Sequence, residues 1–111
     1  MEKLTVGTVV LVSFPFSNLK GKKIRPALVL ARVEFDNLIL CQITSKAYSS
    51  KTAISIEQSD FVKGALPLKS FVRSDKLFTA DASILKGRAG ELTSSKRRII
   101  LQKVHKLFTE L

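Results

Sequence analysis

The hydrophobic pattern of this chain changes its period near residue 93, and that change constrains the fold more than any other feature. Before it, apolar residues form short runs or alternate with polar ones, as in Thr52–Ile56, which is typical of β-strands. After it, apolar residues recur at helical spacing, at Ile99, Ile100, Val104, Leu107, Phe108 and Leu111. The pattern predicts a mainly β fold with α, namely a small antiparallel barrel followed by a C-terminal amphipathic helix packed on it.

Five segments have the composition of β-strands and are predicted as strands: Val6–Phe14, Ala27–Ala31, Leu38–Ile43, Thr52–Ile56 and Ser70–Arg73. Pro15 ends the first segment, because proline has no N–H to give to a ladder. Pro26 favours extended geometry at Arg25, which is therefore predicted at the mouth of the second strand.

Turn and cap residues predict the element boundaries. Asp36–Asn37 is a turn signal, and it predicts a β-hairpin between the second and third strands. Gly64 and Pro67 predict an irregular segment over Phe61–Leu68. A hydroxyl side chain is expected to cap the terminal helix, at Thr93, Ser94 or Ser95.

The size of the chain, 111 residues, predicts a single domain over residues 1–111. Its only cysteine, Cys41, excludes an intrachain disulfide and a metal site built from paired cysteines. Apolar runs such as Val9–Val12 are far too short to span a bilayer, and the N-terminus has no stretch like that of a signal peptide. We therefore expect a soluble cytoplasmic protein with no membrane partner.

The charge balance predicts a polyanionic partner. Lys and Arg number 19 and Asp and Glu number 9, which gives a net charge of +10 and a pI of about 10.1. A nucleic acid, an anionic membrane surface or an acidic protein would each relieve the resulting repulsion. Charge alone does not choose among these three partners, and it also leaves open a ribosome-like or merely soluble basic protein.

Several kinds of catalysis are disfavoured by the residues present. The only histidine, His105, lies off the apolar stripe of the terminal helix, which argues against a serine or cysteine hydrolase. No glycine-rich loop follows a strand, and the acidic residues are too scattered for a two-metal nuclease. We expect no metal and no cofactor.

Five residues remain as candidates for chemistry on a phosphate: Arg25, Thr44, Ser45, Arg73 and Asp75. A hairpin brings the residues after the third strand near Arg25, and residues two apart on a strand project to one side. Guanidinium groups suit phosphate oxygens, and a carboxylate can take a proton from a ribose 2′-OH. The alternative is that these residues have no catalytic role. Arg25 would then be a solvated charge, Thr44–Ser45 a turn, and Arg73–Asp75 a surface ion pair.

The order and spacing of five motifs resemble the PemK/MazF family of toxins from bacterial toxin–antitoxin pairs. The motifs are Gly7–Val12 with Phe14–Phe16, Arg25–Leu30, Gln42–Ser45, Val72–Thr79 and Gly90–Leu92. The resemblance implies an SH3-like β-barrel of the PemK/CcdB type that forms a homodimer. It also implies a sequence-specific endoribonuclease that cleaves single-stranded RNA (mRNA) without metal, through attack of the 2′-OH, leaving a 2′,3′-cyclic phosphate and a 5′-hydroxyl.

The resemblance also implies roles for individual residues. Arg25 would stabilise the scissile phosphate, Thr44 and Ser45 would position it, and Arg73 and Asp75 would match the family's acid–base pair. Because arginine is so hard to deprotonate, we expect an electrostatic role for both arginines. Family antitoxins are acidic, so an acidic cognate antitoxin is the implied protein partner.

One departure from the family lies in the loop Ser17–Ile24, which lacks the histidine that some members carry there. The loop is basic instead, and we expect its lysines and Lys46 to bind the RNA backbone; the loop lysines are Lys20, Lys22 and Lys23. Two other functions remain open, a gyrase-poisoning toxin on the same fold and a basic SH3-like module that only binds nucleic acid. Toxins of the gyrase class bind through the end of their terminal helix, where this chain has Leu111.

Overall fold

The architecture is a seven-stranded sheet followed by one α-helix, in a computed structural model that describes residues 4–15, 22–46 and 51–109. The strands are β1 (Thr8–Pro15), β2 (Lys22–Val33), β3 (Asn37–Thr44), β4 (Ala53–Ile56), β5 (Phe61–Gly64), β6 (Ser70–Asp81) and β7 (Leu85–Leu92). The helix is α1 (Ser94–Leu107), and two short 3₁₀ turns span Gln58–Asp60 and Ala82–Ile84. Every strand pairing is antiparallel.

The sheet has the strand order β4-β6-β3-β2-β1-β7-β5 and is strongly curved. Its curvature shows in Phe14 of β1 and Phe78 of β6, whose ring centroids lie 5.1 Å apart. In a flat sheet the axes of β1 and β6 would be about 14 Å apart, because three spacings of about 4.8 Å separate them. The contact between the two rings therefore requires the sheet to bend. The predicted fold class, mainly β with a C-terminal helix, is confirmed.

Apolar side chains cover both faces of the sheet. One face, which we call the helix face, buries Leu28, Cys41 and Val72 together with Ile100 of α1. The opposite face, which we call the aromatic face, buries apolar residues beneath Phe14 and Phe78, among them Val10, Val12, Ala27, Val29 and Leu40. Because β2 is covered on both sides, its central residues form a continuous apolar run rather than an alternating one.

The predicted hairpin between β2 and β3 is present. The N–H of Asn37 donates to the carbonyl of Glu34 at 3.2 Å. The two central residues of the turn, Phe35 and Asp36, have φ values of 60° and 59°. These values are those of a type I′ turn, whose twist matches that of the flanking strands.

The terminal helix begins as predicted but buries less than its pattern indicates. Thr93 is the N-cap, and its hydroxyl accepts from the N–H of Lys96 at 3.2 Å. Of the predicted apolar positions, Ile100 is fully buried, whereas Ile99 and Phe108 are 46% and 73% exposed. Leu111 lies outside the described residues. Within the described ranges, no helix is both long enough and apolar enough to cross a membrane.

Two strand boundaries differ from the sequence-based expectation. Arg25 and Pro26 lie inside β2 rather than at its mouth, because β2 extends back to Lys22 along β1. Pro26 pairs with Leu11 of β1 and lies outside the described ladder between β2 and β3. A proline, which has no N–H, is tolerated at such a position. The strand predicted over Ser70–Arg73 continues to Asp81. Its polar residues after Arg73 do not show a strand pattern, because they lie at an irregularity in the pairing with β3.

The region after β4 also contains strands that the sequence did not predict. Phe61–Gly64 is a short edge strand, not an irregular segment, and Gly64 fits there with a φ of 71°. A Cβ on Gly64 would lie 2.1 Å from the carbonyl oxygen of Ala89, so β5 packs closely on β7. The strand β7 contains two glycines and three charged residues. This composition is not typical of a β-strand, so the sequence did not predict one there.

Candidate active site

Arg25, Thr44 and Phe71 point to the aromatic face. Arg25 lies two residues before Ala27 on β2, and Thr44 follows Ile43 of the helix face on β3, so side-chain alternation gives both the aromatic face. Thr44 is opposite Phe71 of β6, and directly opposed residues of antiparallel strands point to the same face. The described ladder between β2 and β3 starts at Ala27 and Gln42, so Arg25 lies just beyond it.

Arg73 and Asp75 follow Phe71 along β6. Ile43 is opposite Val72, and the register of β3 and β6 shifts just beyond this pair. Val72 and Ser74 are fully buried, Val72 on the helix face. Since strand residues alternate, Arg73 and Asp75 point the other way, toward the face that carries Gln42.

An irregularity in β6 holds Arg73 and Asp75. Between the pairs Ile43–Val72 and Cys41–Leu77, β6 contains three more residues than β3. The N–H and the hydroxyl of Ser74 both donate to the carbonyl of Thr52, at 3.2 and 2.7 Å, and fix this segment. Such irregularities aim particular side chains away from the ladder.

Arg73 and Asp75 form a two-point hydrogen bond. Arg73 Nε lies 3.3 Å from Asp75 Oδ1, and Nη2 lies 3.4 Å from Oδ2. Their side chains are 19% and 34% exposed. Partial burial by itself raises the pKa of Asp75, but hydrogen bonds from the side chains of Arg73 and Thr52 outweigh it and leave the pKa below its usual value. The carboxylate is therefore ionised at neutral pH.

The hydroxyl of Thr44 is oriented by the turn that follows β3. It accepts from the N–H of Lys46 at 3.2 Å, while Thr44 itself is half-buried. A hydroxyl that accepts one bond still has its own proton to donate. Ser45 and Lys46 are exposed in the same turn. This turn can therefore supply a neutral donor beside a cation.

The basic residues predicted to bind RNA are described only in part. Lys23 is exposed on β2, opposite Phe14. Lys22 begins β2, but its side chain is outside the described part of the structure. Lys20 lies outside the described residues. Two exposed cations, Lys23 and Lys46, thus lie two residues along the chain from Arg25 and from Thr44.

Other reactive side chains do not join this face. Cys41 is fully buried on the helix face, and burial raises the pKa of its thiol to about 12. His105 is exposed on α1, which packs on the helix face. Among the described residues, no group of three or more His, Cys, Asp or Glu side chains is placed to hold a metal ion.

Three residues of the site lacked a role in the sequence-based prediction. Thr52 fixes the β6 segment and bonds Asp75, Phe71 lies opposite Thr44, and Gln42 alternates with Cys41 and Ile43 and so points to the aromatic face. Gln42 had a detectable signal, because it is a polar residue between the buried Cys41 and Ile43. Thr52 gave no comparable signal, since its contact joins residues 22 positions apart.

The arrangement combines guanidinium groups, a hydroxyl and an ionised carboxylate on one face of a sheet. Residues 5–108 match the family model described as the PemK-like, MazF-like toxin of type II toxin–antitoxin systems. The chain belongs to this family. The match to PemK-like, MazF-like toxins covers every strand and the whole of α1. No curated protein sequence matches the chain.

Solved MazF structures have the same fold at low sequence identity. An endoribonuclease from a Mycobacterial species, in complex with its cognate antitoxin, superposes with a TM-score of 0.77 at 16% identity and covers 98% of both chains. The toxin MazF-mt6 of Mycobacterium tuberculosis gives 0.71 at 22% identity, over 92% of this chain and 96% of that one. MazE–MazF from Deinococcus radiodurans gives 0.75 at 20% identity, over 94% of each chain.

Proposed function

We propose that this PemK-like, MazF-like toxin is a sequence-specific endoribonuclease that cleaves single-stranded RNA, in particular mRNA, without a metal ion. The observation that supports the proposal is side-chain alternation on β2, β3 and β6, which gives Arg25, Thr44 and the hydrogen-bonded Arg73–Asp75 pair one face of the sheet. The whole chain, residues 1–111, would act as one domain in the cytoplasm, where mRNA is available.

In the proposed reaction, a ribose 2′-OH attacks the adjacent phosphate and the P–O5′ bond breaks. The ionised carboxylate of Asp75 takes the 2′-OH proton, and the departing 5′ oxygen gains a proton from solvent. The products are a 2′,3′-cyclic phosphate and a 5′-hydroxyl. Because its pKa is lowered, Asp75 is a weak base, so its position must compensate for modest basicity.

The cations of the site would stabilise the transition state. Negative charge grows on the non-bridging phosphate oxygens during attack, and Arg25 and Arg73 offer fixed guanidinium donors for it. Thr44 and Ser45 would add hydroxyl donors from the turn after β3. Since these groups supply the positive charge, the proposed step needs no divalent ion.

The proposed macromolecular partners are RNA, an acidic cognate antitoxin and a second copy of the chain. Structures with this fold include an endoribonuclease in complex with its cognate antitoxin and two forms of MazE–MazF. The net charge of +10 favours rapid docking of an acidic segment at low salt. Exposed apolar side chains on α1 and on the strands favour a two-fold homodimer that covers them.

The test is incubation of the purified protein with a long single-stranded RNA in EDTA. Defined fragments with cyclic-phosphate ends are expected, and Arg25→Ala and Asp75→Asn should form them much more slowly while the proteins stay folded. Intact RNA together with inhibition of DNA gyrase would instead identify a gyrase poison. Intact RNA with retarded migration would identify a module that binds nucleic acid without cleaving it.

A further inference from the structure

The edge strand β4 lies between the helix α1 and the segment of β6 that carries Asp75. It has four residues, and its one neighbour in the described sheet is β6. So short a strand with an open edge has little stability of its own, and the carbonyls on that edge need other partners. The position of β4 therefore depends on contacts from outside the sheet.

Two lysines of α1 supply such contacts. Lys96 Nζ donates to the carbonyl of Ser55 at 3.2 Å, and Lys103 Nζ donates to the carbonyl of Lys51 at 3.0 Å. The lysines are seven residues apart on α1, which is two helical turns and about 10 Å along one side of the helix. The two carbonyls are four residues apart, about 13 Å along an extended chain. The spacing on the helix thus suits the segment that the lysines hold.

The beginning of α1 adds anchors to the region that follows β4. Thr93 N donates to the carbonyl of Asp60 at 2.8 Å, and Lys96 Nζ lies 3.6 Å from Asp60 Oδ2. The side chains of this ion pair are 18% and 21% exposed, whereas Lys103 is exposed. Lys96 is therefore part of the packed structure, while the contact of Lys103 can be removed without opening a buried site.

Thr52 lies between the two carbonyls that the lysines hold, and it contacts the candidate site directly. Its own carbonyl accepts from the N–H and the hydroxyl of Ser74, at 3.2 and 2.7 Å. Its side chain makes a hydrogen bond with the carboxylate of Asp75. A displacement of Thr52 would therefore move both the backbone next to Asp75 and one of the partners that orient its carboxylate.

We propose that Lys103 and Lys96 are positioning residues, which hold Thr52 in place from α1 so that Asp75 is aimed at the RNA. The inference rests on the proposed function, because it takes Asp75 as the base for the 2′-OH. It gives two lysines on the helix face an effect on a site that lies on the opposite face. A misplaced base slows the chemical step rather than weakening binding, and an error of about 1 Å can cost about a hundredfold in rate.

The test is the cleavage of single-stranded RNA by variants of the full chain. Lys103→Met should lower kcat about threefold and Thr52→Val about tenfold, both with KM unchanged. Lys103→Arg should restore the rate, since a guanidinium can donate to the same carbonyl. Lys96→Met should lower kcat as well, but also the melting temperature, because it breaks the ion pair with Asp60. Lys106→Met is the matched control, because Lys106 is an exposed lysine of α1 that makes no side-chain hydrogen bond to the described residues around β4.

Titration of the Asp75 carboxyl by NMR is the readout that a general loss of stability would not move. The Thr52 hydrogen bond lowers the pKa of Asp75, so Thr52→Val and, to a smaller extent, Lys103→Met should move the midpoint upward. Lys106→Met should leave it in place. A rate that falls only with the melting temperature, at an unchanged midpoint, would overturn the positioning role.

Two further outcomes separate this inference from the proposed function. Wild-type kcat and midpoint in both Thr52→Val and Lys103→Met would overturn the positioning role, and RNA cleavage by the wild-type protein would still support the nuclease. Intact RNA with the wild-type protein would overturn the nuclease. The midpoints alone would then decide whether α1 positions Asp75: an upward shift in both variants supports it, and no shift overturns it.

Discussion

Arg73 donates two hydrogen bonds to Asp75, its neighbour two residues along β6, at 3.3 and 3.4 Å. The contact lies where β6 leaves its regular pairing with β3, and Thr52 fixes that segment from β4's side. Because the pair is partly exposed, it contributes little to stability by itself. Its consequence is chemical: a carboxylate that is ionised and oriented, next to a guanidinium aimed at the same face.

Arg25→Ala tests the proposed stabilisation of the transition state. We expect the cleavage rate at saturating RNA to fall by about two orders of magnitude or more, the usual cost of losing one preorganised donor. Affinity for an uncleavable RNA should fall only modestly, since the lost interaction grows in the transition state. Single-turnover rates and binding isotherms measure the two effects separately.

Arg32→Ala is the matched control for Arg25→Ala. Arg32 is also an exposed arginine on β2, seven residues further along the strand, roughly 23 Å away at 3.3 Å per residue. Its removal should leave the cleavage rate unchanged. Full activity of a well-folded Arg25→Ala protein would contradict the catalytic assignment.

The titration of Asp75 should show the influence of Arg73. The Asp75 pKa lies below its usual value, so its carboxyl NMR signal should titrate below the ordinary aspartate range, and Arg73→Ala should move the midpoint upward. A pKa lowered by folding adds stability above the unfolded-state pKa, and this stability is lost as pH falls through the folded-state pKa. An unchanged midpoint in Arg73→Ala would show that the hydrogen bonds do not persist in solution.

Asp75→Asn should separate chemistry from binding. The amide cannot take the 2′-OH proton, so cleavage should slow strongly. RNA affinity should stay equal or increase, because the substitution removes a negative charge from an RNA-facing surface. Rates and affinities measured at one ionic strength decide the point, and a loss of affinity equal to the loss of rate would argue for a binding role instead.

Lys23→Ala and Lys46→Ala should weaken RNA binding without slowing the chemical step. Each removes one exposed cation, and a lost phosphate contact reduces the slope of log affinity against log salt by about 0.7 for single strands. Turnover at saturating RNA should remain nearly normal. Lys63→Ala, which removes an exposed lysine from the edge strand β5, should change neither quantity.

Cys41 should be unreactive in the folded protein. The thiol is fully buried and its pKa is raised to about 12 by burial, so the reactive thiolate is scarce and inaccessible. Iodoacetamide at neutral pH should modify it only as fast as the protein unfolds, and urea should accelerate labelling, as measured by mass spectrometry. Rapid labelling of the native protein would contradict the packing of the helix face.

The sequence identified the elements whose local signals are strong. Thr93 caps α1 because its hydroxyl acts on a residue three positions away, and Asp36–Asn37 forms a turn through contacts within four residues. Local patterns failed for β7 and for the second half of β6, where glycines and charges conceal strands that pairing with β1 and β3 stabilises. Burial of α1 was also overestimated, because the pattern gives an apolar face but not how much of it a neighbour covers.

For the candidate site, the sequence by itself determined the chemical groups and the two-residue spacing that lets Arg73 reach Asp75. Only the tertiary structure decided which groups share a face with them. Arg25 and Thr44 share a face because the pairing of β2 with β3 sets Ala27 opposite Gln42, and Thr52 reaches the β6 segment from 22 residues away. The physical reason is that side-chain alternation is a local property, whereas register depends on turns and on packing between distant segments.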